Sequence, residues 1–115
     1  MRVLVVHADI IVRCFFLREL RRRAEVLGAS TATGALAALH ASRFEVLLTS
    51  DSLGDRAARA LLAEARSVQP QCRRGLLFDG AAPPRWGHLA DRCFSRHAAL
   101  VTVVEWIVLM GFNRE

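Results

Sequence analysis

The sequence predicts an α/β fold, a single (βα)5 domain in which a five-stranded parallel sheet lies between two helical layers. Three observations predict it. The short apolar runs Val3–Val6, Val46–Leu48 and Leu76–Phe78 have strand length, and each is followed by a polar break and a helix-like or loop segment. Apolar residues in the intervening segments recur at three- and four-residue spacing, the helical period. The 115 residues are enough for one real core. Alternation of this kind implies right-handed crossovers and a sheet covered on both faces. In open α/β sheets, functional groups stand just past the carboxyl ends of the strands. Those ends read His7-Ala8-Asp9, Thr49-Ser50-Asp51 and Asp79-Gly80.

The first strand is expected over residues 2–6. Asp9 is placed to cap a helix over 10–23, with Ile11, Val12, Phe15, Phe16 and Leu20 as its apolar members. Leu17 is expected to face outward beside Arg13 and Arg21. Residues 25–29 form a weaker second strand, and Thr33 is the expected cap of a second helix reaching Ala41, with Leu36 and Leu39 inward. Residues 44–49 make the clearest buried strand. Asp55 is expected to open a third helix, Arg56 to Val68, whose stripe is Leu61, Leu62 and Ala65; Pro70 lies beyond its end. A fourth strand covers 75–78. Pro83 and Pro84 then leave room only for a shortened fourth helix around Trp86 to Ala90. The fifth strand is Arg92–Ser95 and the last helix spans 98–111. No repeat or domain boundary interrupts this order.

Composition narrows the function classes. The chain is 53% hydrophobic, yet no run reaches the roughly 18 uncharged apolar residues of a membrane span. The longest candidate, Ala98 to Met110, contains Glu105. Without a leader-like start, the expected compartment is the cytoplasm, with no membrane partner. Cys14, Cys72 and Cys93 match neither a disulfide framework nor a zinc pattern, and are expected to be small buried hydrophobes. The net charge of +5 comes from sixteen arginines and no lysine. Nucleic acid is one explanation of that charge. The arginines are scattered, however, and the one cluster, Arg18 with Arg21, Arg22 and Arg23, suits a solvated helix end meeting the helix dipole.

The order of elements and the strand-end positions resemble the receiver domain of response regulators, a flavodoxin-like fold, over most of the chain. The resemblance implies a strand-one acidic pair for magnesium, a phosphoacceptor aspartate after strand three, a Thr or Ser after strand four, and a lysine followed by proline after strand five. With Ser50 at the acceptor position, Leu61, Leu62, Ala65 and Arg66 fall on the family's helix-three pattern. The chemistry departs from that pattern. His7 and Ala8 replace the acidic pair beside Asp9, Ser50 the acceptor, Asp79 the hydroxyl, Arg96 the lysine and His97 the proline. Cys93 replaces the expected strand-five aromatic, with Phe94 one residue away. Magnesium needs several hard oxygen ligands, and a serine hydroxyl without a base is a poor nucleophile. Asp51 could stand in for the acceptor only if a bulge offset the alternation of strand side chains.

The expected protein is therefore a stand-alone degenerate receiver with no cofactor, no metal, no catalytic residue and no small-molecule substrate. It acts on protein partners independently of phosphorylation. Either an Asp79–Arg96 ion pair, helped by Ser50 and Asp51, fixes the strand-end loops, or both charges point into solvent. The last helix has apolar residues on nearly every side, and Glu105, Trp106, Leu109 and Phe112 are expected on or beside its outer face. By resemblance, a homodimer would form through the face of the shortened fourth helix, strand five and the last helix, with Arg85, Trp86 and His88 flanking it. The rivals are an arginine-rich nucleic-acid-associated protein and a small hydrolase in which His7 activates Ser50 beside Asp9 or Asp79.

Overall fold

The computed structural model describes residues 1–53 and 57–112. Its strands are β1 Arg2–Val6, β2 Glu25–Ala29, β3 Val46–Ser50, β4 Arg73–Phe78 and β5 Arg92–Ser95. Its helices are α1 Ile10–Leu20, α2 Ala32–Ala41, α3 Ala58–Val68 and α4 Leu100–Phe112; a 3-10 turn, Arg85–Leu89, stands in place of a fourth long helix. The five strands are parallel in the order β2-β1-β3-β4-β5. The flavodoxin-like order follows from the chain reversing direction across the sheet after β2.

Two cores lie on opposite faces of the sheet, as strand alternation requires. Leu4, Val6, Leu47 and Leu76 meet α2 and α3 on one face. Val3, Val5, Val46, Leu48, Leu77 and Phe94 meet α1 and α4 on the other.

Several boundaries move, each for a local reason. Asp9 caps α1 as expected, its Oδ1 accepting from the Ile11 N–H at 2.8 Å. The helix ends at Leu20, so Arg21, Arg22 and Arg23 form a turn, and only Arg18 sits in the last helical turn. Ile11 is solvent-exposed, because Phe16 and Leu20 alone in this helix reach full burial. Leu17 is half-buried, lying over Gly28 of the edge strand β2. Thr31, not Thr33, caps α2; its hydroxyl accepts from the Gly34 N–H at 3.1 Å. The expected start of the third helix at Asp55 and Arg56 lies outside the described residues, while its stripe Leu61, Leu62 and Ala65 is fully buried. β4 begins at Arg73, two residues early, since Arg73 and Arg74 already pair with Val46 and Leu47 of β3. Of the cysteines only Cys72 is buried; Cys14 is exposed and Cys93 intermediate. No helix among the described residues is long and apolar enough to cross a membrane.

Candidate functional site

The carboxyl ends of β1, β3 and β4 converge around His7. Its Nδ1 accepts from the Asp9 N–H at 3.0 Å, which fixes the imidazole at the mouth of the first βα loop. Burial pushes its pKa below the usual histidine value. The charges of Asp9, Asp79 and Asp51 oppose that shift, and Arg13 adds to it. Arg13 turns inward, donating from Nη1 to the carbonyls of His7 (2.6 Å) and Ala8 (3.1 Å), so it braces the loop.

Ser50 is the last residue of β3 and only 3% exposed. Its hydroxyl oxygen accepts from the Ser52 N–H at 3.1 Å. Asp51 lies beyond the strand, where alternation no longer sets its direction, and its carboxylate swings across the strand ends. Oδ2 accepts from the Asp79 N–H at 3.1 Å and Oδ1 from the Ser52 hydroxyl at 3.4 Å. That hydroxyl also lies 2.8 Å from Asp79 Oδ2. Ser52 thus ties two carboxylates together. Nothing in the family pattern pointed to it; the only signal was a hydroxyl residue two positions after the strand end.

Two arrangements that the sequence left open are absent here. Asp79 and Arg96 form no ion pair: the pairs among the described residues are Arg2–Glu25, Arg18–Glu19 and His40–Glu64. Arg96 Nε instead lies 3.4 Å from His97 Nε2, and Asp79 is held by Ser52. The hydrolase arrangement also lacks its central contact: among the described residues no hydrogen bond joins His7 to Ser50, and the His7 Nδ1 and the Ser50 oxygen accept from the N–H groups of Asp9 and Ser52.

The residues do not fit a magnesium ion of the kind this fold implies. An octahedral site asks for several convergent oxygens. Here Ala8 offers no side-chain oxygen, Asp9 Oδ1 caps α1, and both Asp51 oxygens already accept from protein donors. Among the described residues, no three His, Cys, Asp or Glu side chains are grouped to hold a metal. The cleft satisfies its own carboxylates.

The other predicted residues separate into two groups. Thr102, Glu105, Leu109 and Phe112 are exposed on the outer side of α4, as the helical period requires. Trp106 is not among them. It is 7% exposed, stacked edge-to-face on Phe94 with ring centroids 5.5 Å apart, and seated over Gly75 of β4. Trp86 is half-buried against the α2–α3 core, whereas Arg85 and His88 are exposed.

A pH dependence follows from His7. Its depressed native pKa means that the unfolded chain takes up a proton first as pH falls through about 6.5. Stability is therefore expected to fall on acidification from pH 7 to pH 5. The fall should be smaller in His7→Asn, whose amide oxygen can still accept from the Asp9 N–H. Thermal unfolding at matched salt measures it, and equal slopes for the two proteins would contradict it.

No protein-family model matches this sequence, and no curated protein matches it. Solved structures do. The receiver domain of a CheY-like response regulator from Methanospirillum hungatei superposes with a TM-score of 0.88 at 21% identity, covering 98% of this chain and 94% of that one. The chemotaxis response regulator CheY4 of Vibrio cholerae gives 0.85 at 19%, with coverages of 95% and 97%. The Francisella response regulator 1452 receiver domain gives 0.88 at 12%, with 99% and 98%. The chain has the receiver fold.

Proposed function

We propose that this chain is a degenerate receiver: a protein–protein interaction module in signalling that works without aspartyl phosphorylation, has no catalytic activity and pairs with a second copy of itself. The observation that carries the first half is the state of the strand-end cleft. The residue in the acceptor register, Ser50, is buried and hydrogen-bonded, and the neighbouring carboxylates are taken up by Ser52 and by backbone N–H groups. Phosphoryl transfer needs a metal and a cation to neutralise charge on the transferring group. Arg13 and Arg96, the nearest candidates by sequence, engage carbonyls and His97 instead.

The second half rests on α4. Val101, Leu109 and Phe112 are 62%, 61% and 64% exposed, and they lie on one side of the helix with Glu105 between them. Large apolar side chains grouped on an exposed helix mark an association surface. Arg85 and His88, exposed on the 3-10 turn, supply a polar rim to the face made with β5.

Light scattering on the purified protein tests both halves. The wild type is expected at twice the monomer mass, and Leu109→Glu with Phe112→Glu should weaken self-association at least a hundredfold with the fold intact by circular dichroism. Acetyl phosphate or beryllofluoride with magnesium should change neither mass nor spectrum. A wild type that stays monomeric at high concentration removes the pairing. A phospho-adduct on Asp51 removes the phosphorylation independence.

A further inference from the structure

At the opposite end of the sheet from the cleft, the amino-terminal ends of β3 and β4 frame a groove of ≈ 1130 Å³. Three guanidinium groups line it, from Arg43, Arg73 and Arg74, with Phe44 and Met110 on its apolar side. Arg74 is 9% exposed, and it is the only charged side chain among the described residues to be buried so far. Burying a charge is costly unless an opposite charge or several hydrogen bonds compensate it.

No carboxylate compensates this one. Arg74 Nε donates to the Leu89 carbonyl at 2.8 Å and Nη1 to the Cys72 carbonyl at 3.2 Å, and the ion pairs among the described residues all lie elsewhere. Asp91 lines the same groove but spends Oδ2 on the Arg74 backbone N–H at 2.7 Å. Glu45 accepts from the Arg2 N–H at 2.5 Å. Among the described residues Nη2 of Arg74 has no partner, yet no fully buried side-chain nitrogen or oxygen lacks one. That nitrogen is therefore not fully enclosed, and Arg74 lines the groove. Among the described residues Arg43 makes only a long contact to Gln71 Oε1 at 3.5 Å, and Arg73 is exposed with no side-chain bond.

We propose that this groove binds a phosphate dianion, free or carried by a small molecule, through Arg74 held rigidly at its base and Arg43 and Arg73 at its rim. A guanidinium offers paired N–H donors that match a phosphate edge-on. A base already fixed by two carbonyls loses little freedom on binding. The site is independent of the strand-end cleft and of the α4 surface, so it stands or falls separately from the proposed function.

Isothermal titration of the full chain with inorganic phosphate and with phenyl phosphate, at fixed ionic strength in chloride, tests it. Saturable one-to-one binding is expected. It should weaken at least tenfold in Arg43→Gln/Arg73→Gln, which spares the buried Arg74. Arg59→Gln/Arg66→Gln removes the same charge from the exposed face of α3 and should leave binding unchanged. Tighter binding of phenyl phosphate assigns the site to an organic phosphate whose body rests on Phe44 and Met110; equal binding assigns it to the free ion. No saturable binding of either probe, or equal loss in the two double variants, overturns the proposal.

Discussion

Trp106→Ala is expected to cost about 3–5 kcal/mol of stability, the usual range for truncating a large buried aromatic. The indole fills the space between α4 and the sheet, edge-on to Phe94. It fits only because β4 carries glycine at position 75. A Cβ built there would lie 2.7 Å from Trp106 Cζ3 and 3.2 Å from Leu48 Cδ1. Gly75→Ala alone should therefore cost about 1–3 kcal/mol through overpacking. In the Trp106→Ala background the same change should cost almost nothing, since the colliding ring is gone. Denaturant unfolding of the four proteins measures this coupling, and additive losses would contradict the slot.

The second large effect is expected at Gln69, a half-buried residue at the end of α3 that stitches the α2–β3 connection to the body. Its Nε2 donates to the carbonyls of Leu39 (2.7 Å) and Ser42 (2.5 Å), and its Oε1 accepts from the Phe44 N–H at 2.9 Å. One side chain serves three backbone groups, the carbonyl of Leu39 in the last turn of α2, the carbonyl of Ser42 and the N–H of Phe44. Gln69→Ala would strand all three, and leaving a buried polar group unsatisfied costs about 1–3 kcal/mol. Water can reach part of this site, so the expected loss is about 2–3 kcal/mol in all, with faster hydrogen exchange at Phe44. Gln69→Glu keeps the acceptor but loses the donors, and should recover only a fraction. A Gln69→Ala protein as stable as wild type would show that solvent replaces all three bonds.

The frame was legible because each element announces itself locally. β3 opens on the apolar run Val46-Leu47-Leu48 and is buried on both faces. Asp9 is a short carboxylate just before a helical period, and it caps α1. Pro83 and Pro84 forbid a long fourth helix, and only a 3-10 turn follows. The cleft was half legible. Sequence placed His7, Asp9, Ser50, Asp51 and Asp79 at neighbouring strand ends, but it could not say which polar groups would choose each other there. An Asp79–Arg96 pair and the observed Asp79–Ser52 bond require similar backbone positions and differ only in where side chains turn.

The amino-acid order alone determined that alternating strands and helices build a five-stranded parallel sheet, that β3 ends in serine, and that this sequence offers no lysine. These depend on residue type and on spacing along one element. Tertiary structure decided where Trp106 goes. Thr102 and Glu105 mark the outer face of α4, but Trp106 borders that face in the helical period, and the missing Cβ of Gly75, 31 positions earlier in the chain, leaves room for the indole against the sheet. It likewise decided that Arg74 is buried without a carboxylate, because that depends on which carbonyls the folded chain brings around it.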